Sequence, residues 1–191
     1  MNVNYKLRLL SEDDLRGKVV MPLLSALGCS NVRNNCGPSE YGKDIVYIVR
    51  DHFLKEKIWG AAVVKKSDIN KSSLDTINRQ IVEAITPFPH PDNPGSTVQV
   101  HEILLITSRG MTSEAQKYIN GNSGKCFPNI HFINGDRLEF LINEVIIEYN
   151  KRHQRHYVFS IKTFGKICRN GLGQTSENIS ISRKTEGQTL E

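Results

Sequence analysis

Short apolar runs alternate with amphipathic, helix-like segments along most of this chain, and that alternation limits the folds open to it. Residues 44–49 and 58–64 are rich in β-branched and aromatic side chains and apolar nearly throughout, as are strands covered on both faces. The charged connection between them, residues 50–57, suits an antiparallel hairpin. Two further strand-like runs follow at residues 103–107 and 130–133. We therefore expect a sheet that is buried between helices.

Apolar residues at three- and four-residue spacing predict helices before, between and after these strands. The predicted helices cover residues 12–27, 74–85, 112–120 and 135–149. The order is helix, strand, strand, helix, strand, helix, strand, helix, which indicates an α/β protein with a central mixed sheet flanked by helices. Turn-forming residues predict loops over residues 30–42 and over a proline-rich stretch that begins at Pro87.

Charge divides the 191-residue chain into two parts. Residues 1–150 contain 17 basic and 17 acidic side chains, whereas residues 151–191 contain 8 basic and 3 acidic ones and carry the whole net charge of +5. We expect one domain over residues 1–150 and a basic, largely disordered C-terminal extension over residues 151–191, in which residues 158–161 have a strand-like composition. The extension either attracts nucleic acid electrostatically or is simply a solvated end of the chain.

Several classes of protein do not suit this sequence. No apolar run approaches the ~18 residues that a membrane-spanning helix needs. The N-terminal residues lack the charged start, apolar middle and cleavage site of a signal peptide, so we expect a soluble cytoplasmic protein. An enzyme acting on a phosphorylated metabolite is a weaker hypothesis, because the chain has neither a glycine-rich phosphate loop nor a dinucleotide-binding fingerprint.

Charged residues gather where the predicted hairpin opens. Glu40 and Asp44 flank the start of the first strand, and Lys65 and Lys66 end the second. Carboxylates on a rigid strand can hold Mg²⁺ through oxygen ligands, and the metal lowers the pKa of a bound water. A nearby lysine can orient that water and offset charge on the phosphate. The pattern suits metal-dependent phosphodiester hydrolysis, although an ordinary charged sheet edge has the same composition.

Five segments in order resemble the restriction-endonuclease-like fold, in particular the Mrr-like branch of the PD-(D/E)xK nucleases. The resembling segments are residues 15–28, 37–46, 63–69, 107–112 and 133–138. The resemblance implies a three-layer core and a Mg²⁺-dependent DNA endonuclease, a hydrolase of bacterial restriction or antiviral defence, with Mn²⁺ as an alternative metal. Its partners would be DNA and either a second copy of the chain or another defence protein.

The resemblance also implies roles for individual residues. Asp44 matches the metal-binding aspartate, with Glu40 as a second acidic ligand. Lys65 matches the catalytic lysine, and Lys66 is the alternative if the register differs by one. Gln80 lies in the helix where similar nucleases carry a glutamine that faces the site, although an ordinary polar helix position explains it equally well.

The sequence departs from the family pattern at one position. The family expects Glu, Asp or Gln two residues before the lysine, where this chain has Val63, or Val64 if Lys66 is the catalytic lysine. Valine cannot bind a cation. The alternative hypothesis is therefore a catalytically impaired module that keeps the nuclease fold and binds DNA or a partner protein without cleavage.

Overall fold

A computed structural model describes residues 3–35, 41–50, 57–93, 95–126, 129–153 and 160–170. The strands are β1 (Ser30–Asn34), β2 (Ile45–Arg50), β3 (Lys57–Lys65), β4 (Phe88–Pro89), β5 (Thr97–Val98), β6 (Val100–Thr107) and β7 (Ile130–Ile133). The helices are α1 (Val3–Arg8), α2 (Glu12–Leu15), α3 (Met21–Ala26), α4 (Leu74–Ile85), α5 (Ser113–Cys126), α6 (Gly135–His153) and α7 (Ile161–Asn170). A π-helical turn, Arg16–Val20, joins α2 to α3.

Five strands form a mixed sheet in the order β1-β2-β3-β6-β7. The pairs β1–β2 and β2–β3 are antiparallel, as predicted for the hairpin, whereas β3–β6 and β6–β7 are parallel. Strands β4 and β5 form a separate small hairpin. The parallel half brings the carboxyl ends of β3, β6 and β7 to a single edge of the sheet.

Alternate side chains of the central strands enter two different cores. On one face Val46, Ala61 and Val63 pack with residues of α4 and α5. On the other face Ile45 and Tyr47 pack with residues of the N-terminal helices, α6 and α7. This arrangement confirms the predicted three-layer α/β core and explains why β2 and β3 are apolar nearly throughout. Within the described ranges, no helix combines the length and apolarity needed to cross a membrane.

The structure corrects several predicted elements. The helix expected over residues 12–27 is interrupted by the π turn, and the segments expected to be loops contain β1 and the small β4–β5 hairpin. Ile161 begins a helix rather than ending a strand, and Phe164 of that helix is fully buried. Because Ile161 and Phe164 are three residues apart, one side of α7 can pack against the core. Residues 171–191 lie outside the described residues.

Candidate active site

Asp44, directly before β2, is held by backbone hydrogen bonds to β3 and to the residue that follows β1. Its backbone N–H donates to the Ala62 carbonyl at 3.0 Å, and its own carbonyl accepts from the Asn35 N–H at 3.0 Å. The residue is only 7% exposed. These hydrogen bonds fix the backbone that carries the carboxylate.

Both oxygens of the Asp44 carboxylate accept hydrogen bonds. Oδ2 accepts from the Val64 backbone N–H at 2.6 Å, and Oδ1 accepts from Arg16 Nη1 at 3.2 Å. Burial raises the pKa of the Asp44 carboxyl above its ordinary value. The Val64 hydrogen bond and the charges of Lys65 and Arg16 oppose that rise without cancelling it.

Lys65 joins the same charged cluster from the end of β3. Its Nζ lies 3.5 Å from Glu12 Oε1, and its side chain is 17% exposed. The other Glu12 oxygen accepts from the Lys66 backbone N–H at 3.3 Å, while the Lys66 side chain is exposed. The structure thus brings Asp44 and Lys65 together, and it adds Glu12, which the sequence analysis took only as the start of a helix.

Arg16 is the second residue of the cluster that sequence reasoning missed. It is 8% exposed and forms ion pairs with Asp13 and Asp44. Arg16 begins the π turn, and π-helical insertions are frequent at functional sites because they displace side chains from the regular helical face. The guanidinium holds the Asp44 carboxylate in one orientation and balances its charge.

The turn before Asp44 is anchored in the end of α4 by a buried lysine. Lys43 is fully buried, and its Nζ donates to the carbonyls of Tyr41 at 3.2 Å, Glu83 at 3.4 Å and Thr86 at 2.9 Å. Burial lowers the pKa of Lys43 to about 8. These bonds satisfy carbonyls at the C-terminal end of α4, where a cation is favoured, and fix the residue that precedes Asp44.

The remaining predicted residues have different positions. Glu40 lies outside the described residues. Val63 is fully buried in the core beneath α4 and α5. The position where the family carries Glu, Asp or Gln is therefore a core packing position in this chain. Gln80 belongs to α4, and its backbone carbonyl lies against Gly42, two residues before Asp44. Gln80 Oε1 is buried and accepts no hydrogen bond from any described residue.

The Asp44 carboxylate fits a hard divalent cation. Each carboxylate oxygen has two lone pairs, so one hydrogen bond apiece leaves Asp44 able to bind a metal. Gln80 Oε1, in α4, is a further buried oxygen acceptor, and no described residue donates to it. In the described part of the chain no group of three or more His, Cys, Asp or Glu side chains could hold a metal. A site with so few carboxylates suits Mg²⁺, which often needs one or two carboxylates and keeps several waters.

Comparison with known proteins gives one match. The family model Mrr_cat, described as a restriction endonuclease, matches residues 17–142. No curated protein and no solved structure matches the chain. The matched region begins in the π turn and ends within α6, so it contains the whole five-stranded sheet, Asp44, Lys65 and Gln80. Glu12 and Arg16 lie just before it.

Proposed function

This chain belongs to the Mrr_cat restriction endonuclease family, and from this premise we propose that it is a Mg²⁺-dependent DNA endonuclease, with Mn²⁺ as an alternative metal. The observation that carries the proposal is the cluster in which Asp44, held by Val64 and Arg16, lies beside the half-buried Lys65. We further propose a role in bacterial restriction or antiviral defence. DNA is the expected substrate, and a second copy of the chain or a defence protein is the expected partner.

In the proposed site Asp44, with Gln80 and Glu40 in support, would hold the cation. A bound Mg²⁺ would polarise the phosphate and lower the pKa of a bound water. Lys65 would donate hydrogen bonds to the attacking water and the phosphate oxygens, because its ammonium carries three donors. Glu12, 3.5 Å from the lysine nitrogen, would orient that ammonium. Arg16 would keep the Asp44 carboxylate in place.

A plasmid-cleavage assay tests the proposal. We expect the purified protein to nick or linearise DNA with Mg²⁺ or Mn²⁺, to lose this activity in EDTA, and to lose it in Asp44→Ala. Circular dichroism spectra of the variant should match those of the wild type, which would show that the loss is not unfolding. Metal-dependent cleavage that persists in Asp44→Ala would contradict the assignment of the site.

One observation favours a second function. The position two residues before Lys65 is the buried Val63, and Arg16 already binds Asp44, so the site has fewer free ligands than the family pattern expects. A catalytically impaired module would bind DNA or a partner protein without cutting. The same assay separates the two functions, because the module would retard DNA on a gel and yield no cleavage in either metal.

The buried Asp44 also predicts how cleavage depends on pH. Burial disfavours the charged form, so as pH falls the carboxylate should take up a proton, and activity should decline, above the ordinary aspartate pKa of 3.8. Glu12 contributes to this rise, so Glu12→Gln should move the acidic limb of the profile to lower pH. Single-turnover rates measured from neutral to acidic pH at subsaturating Mg²⁺ check both shifts, because the profile then reports the carboxylate before the cation binds. Circular dichroism follows folding over the same range. An acidic limb at the ordinary aspartate value would contradict the prediction.

A further inference from the structure

Three exposed cations line the edge at which the parallel strands end. Lys66 follows β3, Arg109 follows β6, and Arg137 lies in the first turn of α6, directly after β7. Neighbouring strands are ~4.8 Å apart, so the ends of the three strands that these residues follow span about 10 Å across the edge. Lys65, the proposed catalytic lysine, ends the first of these strands.

Hydrogen bonds connect the three positions into one rigid surface. Arg109 Nε donates to the Lys66 carbonyl at 3.1 Å, and the Arg109 carbonyl accepts from the Gly135 N–H at 2.7 Å. The Arg137 N–H donates to Asn134 Oδ1 at 2.9 Å, which caps the beginning of α6. The positions are therefore fixed relative to one another, while the three side chains face solvent.

At this edge the side chains, rather than the backbone N–H groups, are available to bind a ligand. The Arg109 N–H already donates to Thr107 Oγ1 at 3.1 Å, and the Gly110 N–H donates to Asp68 Oδ1 at 2.9 Å. The Arg109 side chain donates from Nε to the Lys66 carbonyl, and its two terminal amino groups stay available as donors. An arginine oriented in this way presents a pair of donors that matches a phosphate.

No described carboxylate forms an ion pair with Lys66, Arg109 or Arg137. The neighbouring cations Arg16, Lys18 and Lys65 do form such pairs, with acidic residues of the N-terminal helical segment or with Asp44. Asp68 is engaged by Gly110, and Asp136 stands in the first turn of α6, where a negative charge is favoured. Arg137 instead lies 4.8 Å from the centre of the exposed Phe140 ring.

We propose that Lys66, Arg109 and Arg137 form a phosphate-binding strip that contacts the DNA backbone next to the scissile phosphodiester. This inference rests on the proposed function and extends it by naming the residues that position the strand. The strip is short enough for its three cations to contact neighbouring phosphates of one DNA strand. Such contacts fix register and orientation without reading the base sequence.

The strip is tested by binding of a short DNA duplex in EDTA, which separates binding from cleavage. We expect Arg109→Ala and Arg137→Ala each to weaken binding by about three- to tenfold and to lower the slope of log affinity against log salt by about 0.9. Lys66→Ala should have a similar effect. Fluorescence anisotropy over a salt series measures both quantities.

Arg152→Ala is the matched control, because Arg152 belongs to the same helix as Arg137 and lies about 22 Å further along it. We expect its affinity and salt slope to equal those of the wild type. A wild-type slope in both Arg109→Ala and Arg137→Ala, or an equal loss in Arg152→Ala, would overturn the strip and leave the nuclease proposal intact. A wild type that binds DNA with the expected variant losses but never cuts would support the strip and contradict the nuclease. A wild type that neither binds nor cuts DNA would overturn both.

Discussion

Replacement of Lys65 by alanine is expected to reduce the rate of DNA cleavage by about 100- to 1,000-fold, the usual loss when one charge-stabilising donor is removed from an active site. Lys65 is the half-buried lysine of the cluster, with its Nζ 3.5 Å from Glu12, and its charge favours the ionised form of Asp44. The variant should still fold, because the lysine contributes to no hydrophobic core. Single-turnover cleavage at saturating protein measures the rate of the chemical step.

Lys66→Ala is the matched control for this prediction. The Lys66 side chain is exposed, and only its backbone N–H contacts Glu12. At saturating protein we expect Lys66→Ala to cut within about tenfold of the wild type, since losing one phosphate contact weakens binding rather than chemistry. Loss of cleavage in Lys66→Ala with retention in Lys65→Ala would assign the catalytic role to Lys66 instead of Lys65.

Replacement of Gly42 by alanine is expected to be the most destabilising single-methyl change near the site. Gly42 has φ +70°, and an added Cβ would overlap the Gln80 carbonyl oxygen and lie 2.9 Å from Glu83 Cβ and 3.1 Å from the Ala84 nitrogen. The left-handed backbone costs about 1–2 kcal/mol and forced overpacking about 1–3 kcal/mol, so we expect a loss of about 2–5 kcal/mol. Urea unfolding measures it as a fall in the midpoint at unchanged slope.

Gly28→Ala separates the two parts of that cost. Gly28 has φ +92°, and an added Cβ there would meet nothing within 4 Å. Its loss should therefore be only the conformational cost, about 1–2 kcal/mol. Equal losses at the two glycines would show that contact between the Gly42 turn and α4 does not restrict position 42.

The sequence predicted the parts of the fold that depend on hydrophobic pattern. Continuous apolar runs identified β2 and β3 because both of their faces are covered. Strand β1 was missed because Ser30–Asn34 is polar and lies at the edge of the sheet, where no apolar alternation is required. The π turn was missed because the apolar residues of the segment keep a helical spacing through it.

The candidate site was predictable to the extent that its residues resemble a family pattern. That resemblance pointed to Asp44, Lys65 and Gln80, and their roles remain predictions. Glu12 and Arg16 carried no such signal, because their contacts cross long stretches of the chain. Arg16 and Asp44 are separated by 28 positions, and Glu12 and Lys66 by 54. Only the packing of the N-terminal helical segment against the ends of β2 and β3 brings them together.

The two halves of the sheet differ in how freely their residues can change during evolution. Asp44 directly precedes β2 and Lys65 ends β3, and both strands are paired on both sides, so a change of register there would disturb the whole core. Arg109 and Arg137 follow strand ends, and their exposed side chains can be exchanged without repacking any layer. In the proposed nuclease, substitutions after β6 and β7 can therefore change the contacts with DNA while the hairpin beside the aspartate and the lysine keeps its packing.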